Sequence, residues 1–106
     1  MHHDIKPDNI LVDHNDIAKI TDFGISVTLE EADSDEIFNS EWGTKQYLPP
    51  ECWNSRSLLS IEGRMFGKAI DVWALGCTFY QMIYNEFPFK TGTKPADLQY
   101  SITNDE

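Results

Sequence analysis

Near the start of the chain, "HHDIKPDN" sets Asp4, Lys6 and Asn9 on one short loop: a carboxylate, an ammonium and an amide oxygen. A carboxylate so placed can orient a hydroxyl nucleophile and accept its proton. A lysine can offset charge on a transferred phosphoryl group, and an amide oxygen is a hard ligand suited to Mg²⁺. The same residue types also make an ordinary polar turn, so alone they leave the question open. A second piece, "DFG", lies eighteen positions past Asp4 and adds another carboxylate, Asp22. If the chain between them doubles back, Asp22 arrives beside Asn9 and the two can share a metal.

The elements that must bring this about are partly readable. "NILV" and "IAKIT" are β-prone runs on either side of "DHND", a cluster of turn formers, which predicts a β-hairpin over residues 10–21. Gly24 then breaks the strand pattern. Residues 25–48 keep no sustained period and include the acidic run "EEADSDE"; a loop of this length is usually functional or disordered. That run reads as a solvated segment, with attraction of basic substrates as the alternative. "NSRSLLSIEGRMFGKA" reads as loop with one short helical turn. The strongest helix signal covers residues 71–84, with Asp71 as N-cap. Its apolar residues lie on all sides, which belongs to a helix buried in a core and needs more cover than this chain supplies. "PADLQYSITNDE" can start a further helix whose partners are expected outside the chain.

The whole composition narrows the field. Eighteen acidic residues against eight lysines and arginines leave a net charge of −10, which argues against nucleic acid or an anionic membrane as the main partner. Cys52 and Cys77 have no C-x-x-C spacing, so a disulfide framework or zinc site is not expected and a reducing compartment is. His2-His3-Asp4 lacks further ligands at zinc spacing. The longest apolar-rich run contains Gln81 and is too short to span a bilayer. These features predict a soluble cytoplasmic protein, with the nucleus not excluded.

Two further motifs, "GTKQYLPPE" and "DVWALG", complete an ordered set. Together with His2-His3-Asp4-Ile5-Lys6-Pro7-Asp8-Asn9 and Asp22-Phe23-Gly24, the chain resembles the large lobe of a eukaryotic protein kinase of the Ser/Thr type. Pro49-Pro50-Glu51 stands where that family has A-P-E. The resemblance implies a kinase-like α+β fold, of which this chain forms part of the mainly α-helical large lobe with a small β-hairpin beside the catalytic loop. Residues 1–9 match the catalytic loop, 22–51 the activation segment and 71–84 the buried central helix. It implies Asp4 as base, Lys6 near the γ-phosphate of ATP, Asn9 and Asp22 as Mg²⁺ ligands, and Thr44 as a bridge between base and lysine. It further implies Leu11 under the adenine ring, His2 and Phe23 in a stacked apolar spine, Gly24 in the D-F-G turn, Asp71 bracing the catalytic loop and Glu51 in a structural ion pair. Its partners are then ATP and a protein carrying a Ser or Thr acceptor.

The departures are also informative. His3 stands where most regulated kinases carry an arginine that pairs with loop phosphate. A histidine is at best partly charged there, so activity is expected to depend little on phosphorylation at Ser40, the family's usual phosphosite. The spacing from Glu51 to Asp71 is longer than usual, and "GKAIDVWALG" resembles the calcium/calmodulin-dependent protein kinase kinases. No Gly-rich phosphate loop or small-lobe lysine is among these residues, so the segment alone is expected to be nearly inactive. The rival readings are a pseudokinase or scaffold, and a small-molecule kinase; "GTKQYLPPE", which resembles a peptide-docking loop, argues against the latter.

Overall fold

The computed structural model describes residues 1–26, 28, 43–53, 63–89 and 95–104. The hairpin forms as expected. Strand β1 (Ile10–Val12) pairs antiparallel with β2 (Ala18–Ile20), Ile10 opposite Ile20 and Val12 opposite Ala18. Asp13 builds the turn: its Oδ1 accepts the N–H groups of Asn15 at 2.8 Å and Ile17 at 3.1 Å. Asp16 takes φ 60°, a left-handed conformation that Asp tolerates better than branched residues. Beyond the strands, the Thr21 N–H donates to the Asn9 carbonyl at 2.9 Å. That bond sets the two ends of the hairpin side by side, with Asp22 the next residue along.

Helix α1 runs from Gly63 to Tyr84, eight residues longer at its start than the sequence pattern suggested. Asp71 is therefore inside the helix and is no N-cap. Gly63 at its start, Gly67 and the mixed polarity of the first turns hid the period, because glycine has a poor helix propensity. The earlier part of the mixed segment, residues 54–62, lies outside the described residues.

The covered face of α1 carries Ile70, Ala74, Cys77 and Thr78, spaced at helical intervals. Thr78 is wholly buried, and its hydroxyl donates to the Ala74 carbonyl at 2.8 Å. One cluster joins Ala74 and Cys77 to Ile5 and Tyr47, with Trp73, Phe87 and Phe89 at its edge; another joins Ile70 to Leu48 and Cys52. The core thus lies between α1 and the two loops that carry the chemistry. The other face is left uncovered by these residues, in keeping with a helix that needs more cover than this chain supplies: Val72 is 70% exposed and Ile83 73%. Helix α2 (Pro95–Asn104) begins on a proline, whose fixed φ suits a first turn. It packs on the 3-10 turn Pro50–Trp53, so its partner is within the chain, contrary to the sequence expectation. Among the described residues no helix is long and apolar enough to cross a membrane.

Lys19 lies 2.9 Å from Asp13, and this partner, then the N–H groups of Ile17 and Asn15, hold the Asp13 carboxyl below its ordinary 3.8. Because the folded value is depressed, the stabilisation is present above the unfolded value and is lost as pH falls through the folded one. A carboxyl-carbon NMR titration of Asp13 should therefore give a midpoint below 3.8, and Lys19→Ala should move that midpoint upward.

Candidate active site

The loop bearing Asp4 is held from below by α1. The Asp71 carboxylate accepts the backbone N–H of His2 at 2.7 Å and that of His3 at 2.8 Å. To present both amides to one carboxylate, His3 adopts φ 69°. His2 fixes the next joint. Its Nδ1 accepts the Asp4 N–H at 3.1 Å and its Nε2 lies 2.9 Å from the Thr21 carbonyl. An amide can only donate and a carbonyl only accept, so these partners select the neutral Nε2–H tautomer. Both ring nitrogens are then engaged, which removes His2 from any zinc site. Buried Ile5 pins the loop into the core, and the chain enters the 3-10 turn Pro7–Asn9.

Four polar side chains converge above this support. The Thr44 hydroxyl donates to Asp4 Oδ1 at 2.8 Å and accepts from Lys6 Nζ at 2.8 Å. Lys6 Nζ also stands 3.5 Å from Asp4 Oδ2. Buried Asn9 donates through Nδ2 to the Asp4 carbonyl at 2.9 Å and to Asp4 Oδ2 at 3.1 Å. Each Asp4 oxygen thus accepts at least one donor. Thr44 can come this close because Gly43 precedes it, at φ 84°; a Cβ on Gly43 would stand 2.7 Å from the His3 carbonyl oxygen.

Asp22 follows the hairpin, exposed and at φ 61°, with Oδ1 accepting the Gly24 N–H at 3.3 Å. Phe23 meets the His2 ring edge to face, centroids 5.1 Å apart. Leu11 is exposed on β1, and Glu51 is half-buried with no ion pair among the described residues. Ser40 lies outside the described residues, as does the acidic run.

The donor chemistry on either side of the Asn9–Thr21 bond suits a hard cation. Because Asn9 donates twice toward Asp4, its Oδ1 is left without a hydrogen bond among the described residues, and Asp22 adds a carboxylate. No cluster of three or more His, Cys, Asp or Glu residues that could hold a metal occurs among the described residues. Two protein oxygens are few for a dedicated cage but ordinary for Mg²⁺, which takes its remaining ligands from phosphate and water.

Three buried groups fall outside this cluster. His3 is buried beside Asp71 and the Ile25 backbone; desolvation outweighs both and holds its pKa below 6.5. Burial pushes the thiols of Cys52 up to about 12 and Cys77 up to about 11, so both are inert apolar fillers. The sequence reading missed one polar contact, the Tyr47 hydroxyl donating to Gln81 Oε1 at 2.7 Å. The signal was available: Gln81 is an amide inside an otherwise apolar helical run, and such a residue needs a partner.

Fold and site together define a domain built around one acidic loop, a hairpin and a second loop that closes on it. Residues 1–105 match the protein kinase domain model, and the chain belongs to that family. It is 38% identical over 92 residues to the serine/threonine-protein kinase TOUSLED of Arabidopsis thaliana, covering 84% of this chain and 13% of that protein. It is 37% identical over 90 residues to the calcium/calmodulin-dependent protein kinase kinase cmkC of Emericella nidulans, covering 85% of this chain and 16% of that protein. Human cyclin-dependent kinase-like 2 is 37% identical over 102 residues, 96% of this chain and 19% of its own length. The chain thus spans less than a quarter of these relatives, and the branch suggested by "GKAIDVWALG" is level with others.

Replacing Asp71 by Asn leaves one oxygen for two N–H donors and turns an NH₂ toward the other. Asp71→Asn should lower the stability of the intact protein by about 2 kcal/mol, the scale of a hydrogen bond to a charged group. The denaturant midpoint, at unchanged m-value, measures it.

Proposed function

We propose that this chain is the catalytic segment of a protein serine/threonine kinase, which transfers the γ-phosphate of ATP to a Ser or Thr hydroxyl of a protein. The observation that carries the reading is the Thr44 hydroxyl lodged between Asp4 and Lys6, with Asn9 tied to the same carboxylate. An ionised Asp4 beside an incoming hydroxyl accepts its proton as the new O–P bond forms and the bond to ADP breaks, the electron pair leaving with ADP. Lys6, 2.8 Å from Thr44, is placed to meet negative charge on the transferred group. Asn9 Oδ1 and Asp22 would hold Mg²⁺, which when bound screens the phosphate charges. Leu11 lies under the adenine ring in this reading.

His2, Phe23, Gly24, Glu51 and Asp71 serve as supports. The Gly-rich loop and the lysine–glutamate pair of a small lobe are not among the motifs of these 106 residues. Phosphoryl transfer is therefore proposed for the intact protein and not for this stretch alone. The charge of −10 and the inert thiols support a cytoplasmic protein that acts on proteins and not on nucleic acid or membrane.

Asp4→Asn in the intact protein should reduce phosphate transfer to a Ser/Thr peptide by about 10²-fold or more while leaving Mg·ATP affinity nearly unchanged. Radiolabel transfer and nucleotide binding by calorimetry measure the two. Undiminished transfer would refute the assignment, and nucleotide binding without transfer in the wild type would favour the scaffold reading.

His3 occupies the position from which a cation would reach loop phosphate, but it is 7% exposed and kept neutral at pH 7 by burial. A neutral ring offers phosphate no charge pair. Ser40→Ala should therefore keep activity within about twofold of wild type, since no charge-assisted bond is lost. Steady-state rates of phosphatase-treated and variant protein test this, and abolished activity would count against it.

A further inference from the structure

We propose that Lys45 is a specificity-determining residue: its ammonium receives an acidic side chain, carboxylate or phosphate, that lies within two residues of the Ser or Thr acceptor in the protein substrate. The inference rests on the kinase reading above and names the substrate class of that same site. Lys45 stands directly after Thr44, the residue whose hydroxyl touches both Asp4 and Lys6. Two residues of extended chain span about 7 Å at most, and a four-carbon lysine stem reaches across that interval.

The backbone that carries Lys45 is fixed. The Tyr47 N–H donates to the Thr44 carbonyl at 2.9 Å and the Leu48 N–H to the Lys45 carbonyl at 3.1 Å, closing the 3-10 turn Lys45–Tyr47. Tyr47 and Leu48 are buried beyond the turn. Before it, Gly43 lies so close to the His3 carbonyl that a Cβ would stand 2.7 Å away. Between these anchors the Lys45 side chain is exposed. A cation on a pinned backbone can discriminate among substrate positions, where one on a loose loop would follow any negative charge.

The surrounding charges give this ammonium its weight. Lys6 is engaged with Asp4 at 3.5 Å and Lys19 with Asp13 at 2.9 Å. Lys45 has no ion pair or side-chain hydrogen bond among the described residues. Asp8 is exposed and close enough to push the Tyr47 pKa up, yet it does not pair with Lys45. Asp4, Asp8 and Asp22 repel an acidic peptide, so an acid in the substrate is favoured only where a free cation answers it. Because Lys45 stays solvated, the contact is modest in strength and weakened by salt.

The test uses the intact protein at saturating Mg·ATP and peptides with one acceptor Ser, in which Asp, phosphoserine, Ala or Lys occupies each of the two positions on either side. At one of these positions the wild type should favour Asp over Ala by about threefold to fivefold in kcat/KM, the upper range for an exposed ion pair. Phosphoserine there should be favoured at least as strongly, since it carries about −1.5 to −2 charge. A larger ratio for phosphoserine assigns the site to a substrate already phosphorylated, and an equal one to a carboxylate. Lys45→Ala should remove the preference, and Lys45→Glu should invert it so that the Lys peptide becomes the better substrate. Inversion separates recognition from damage to the loop, which would slow all peptides alike. Lys68→Ala removes the same charge from α1 and should keep the wild-type ratio. Equal wild-type rates on Asp and Ala peptides at every position, a preference that survives Lys45→Ala, or one lost equally in Lys68→Ala would overturn the inference and leave the kinase reading standing. A wild type that phosphorylates no peptide would overturn both.

Discussion

The structure depends on one carboxylate inside a helix. Asp71 takes two successive backbone amides, those of His2 and His3, from a loop 69 and 68 positions away in the chain. The chain must turn sharply to do so, and His3 sits at φ 69° as a result. A non-glycine residue there costs roughly 1–2 kcal/mol, and two hydrogen bonds to an ionised acceptor offset it. The conformation is stored strain with a use: it buries Ile5 while leaving Asp4 and Lys6 half-exposed on the opposite side. A loop held only by its own side chains could not keep Asp4 in register with a threonine forty residues away.

The hairpin performs the complementary task. Its two strands are short and their side chains mostly exposed, so they add little core. What they contribute is geometry. The turn at Asp13 reverses the chain, and the Asn9–Thr21 bond returns it to where it started. Asp22 then leaves at φ 61°, a second left-handed residue beside the site, while Phe23 closes against His2. Asn9 is the hub: its backbone receives the returning strand and its side chain ties to Asp4.

Much of the candidate site was legible because its residue types lie at short spacing. Asp4, Lys6 and Asn9 share a loop, and "DHND" announces the reversal that brings Asp22 back. Thr44 needed the family resemblance, since nothing local places a threonine against Asp4. The helix was legible in its apolar half and not in its first turns, where Gly63 and Gly67 interrupt the helical pattern. Asp71 illustrates the ambiguity well: an aspartate before an apolar run looks like an N-cap, and only tertiary structure distinguishes a cap from an acceptor for a distant loop. The all-round apolar character of α1 likewise says that cover is needed without saying which face receives it from these residues. Tyr47 and Gln81 were visible as oddities but not as partners, because spacing carries no information about a contact across 34 positions.

Charge balance bears on how such a site can accept its proposed substrate. Asp4 and Asp22 bring two carboxylates to the hairpin's open end, and Lys6 is the ammonium standing against them, already engaged with Thr44 and Asp4. His3, also in this loop, is buried, and desolvation holds its pKa below 6.5. Among the described residues the candidate site is therefore net negative, within a chain of charge −10. A triphosphate would be repelled from such a surface by Coulomb forces that a partly desolvated site strengthens. Asn9 and Asp22, if they held Mg²⁺ as proposed, would supply through it the positive charge that offsets this repulsion. In this reading Asn9 is an amide for a reason: a third carboxylate would compete with Asp4 for Lys6 and could not donate to it, whereas an amide gives its nitrogen to Asp4 and keeps its oxygen for the metal.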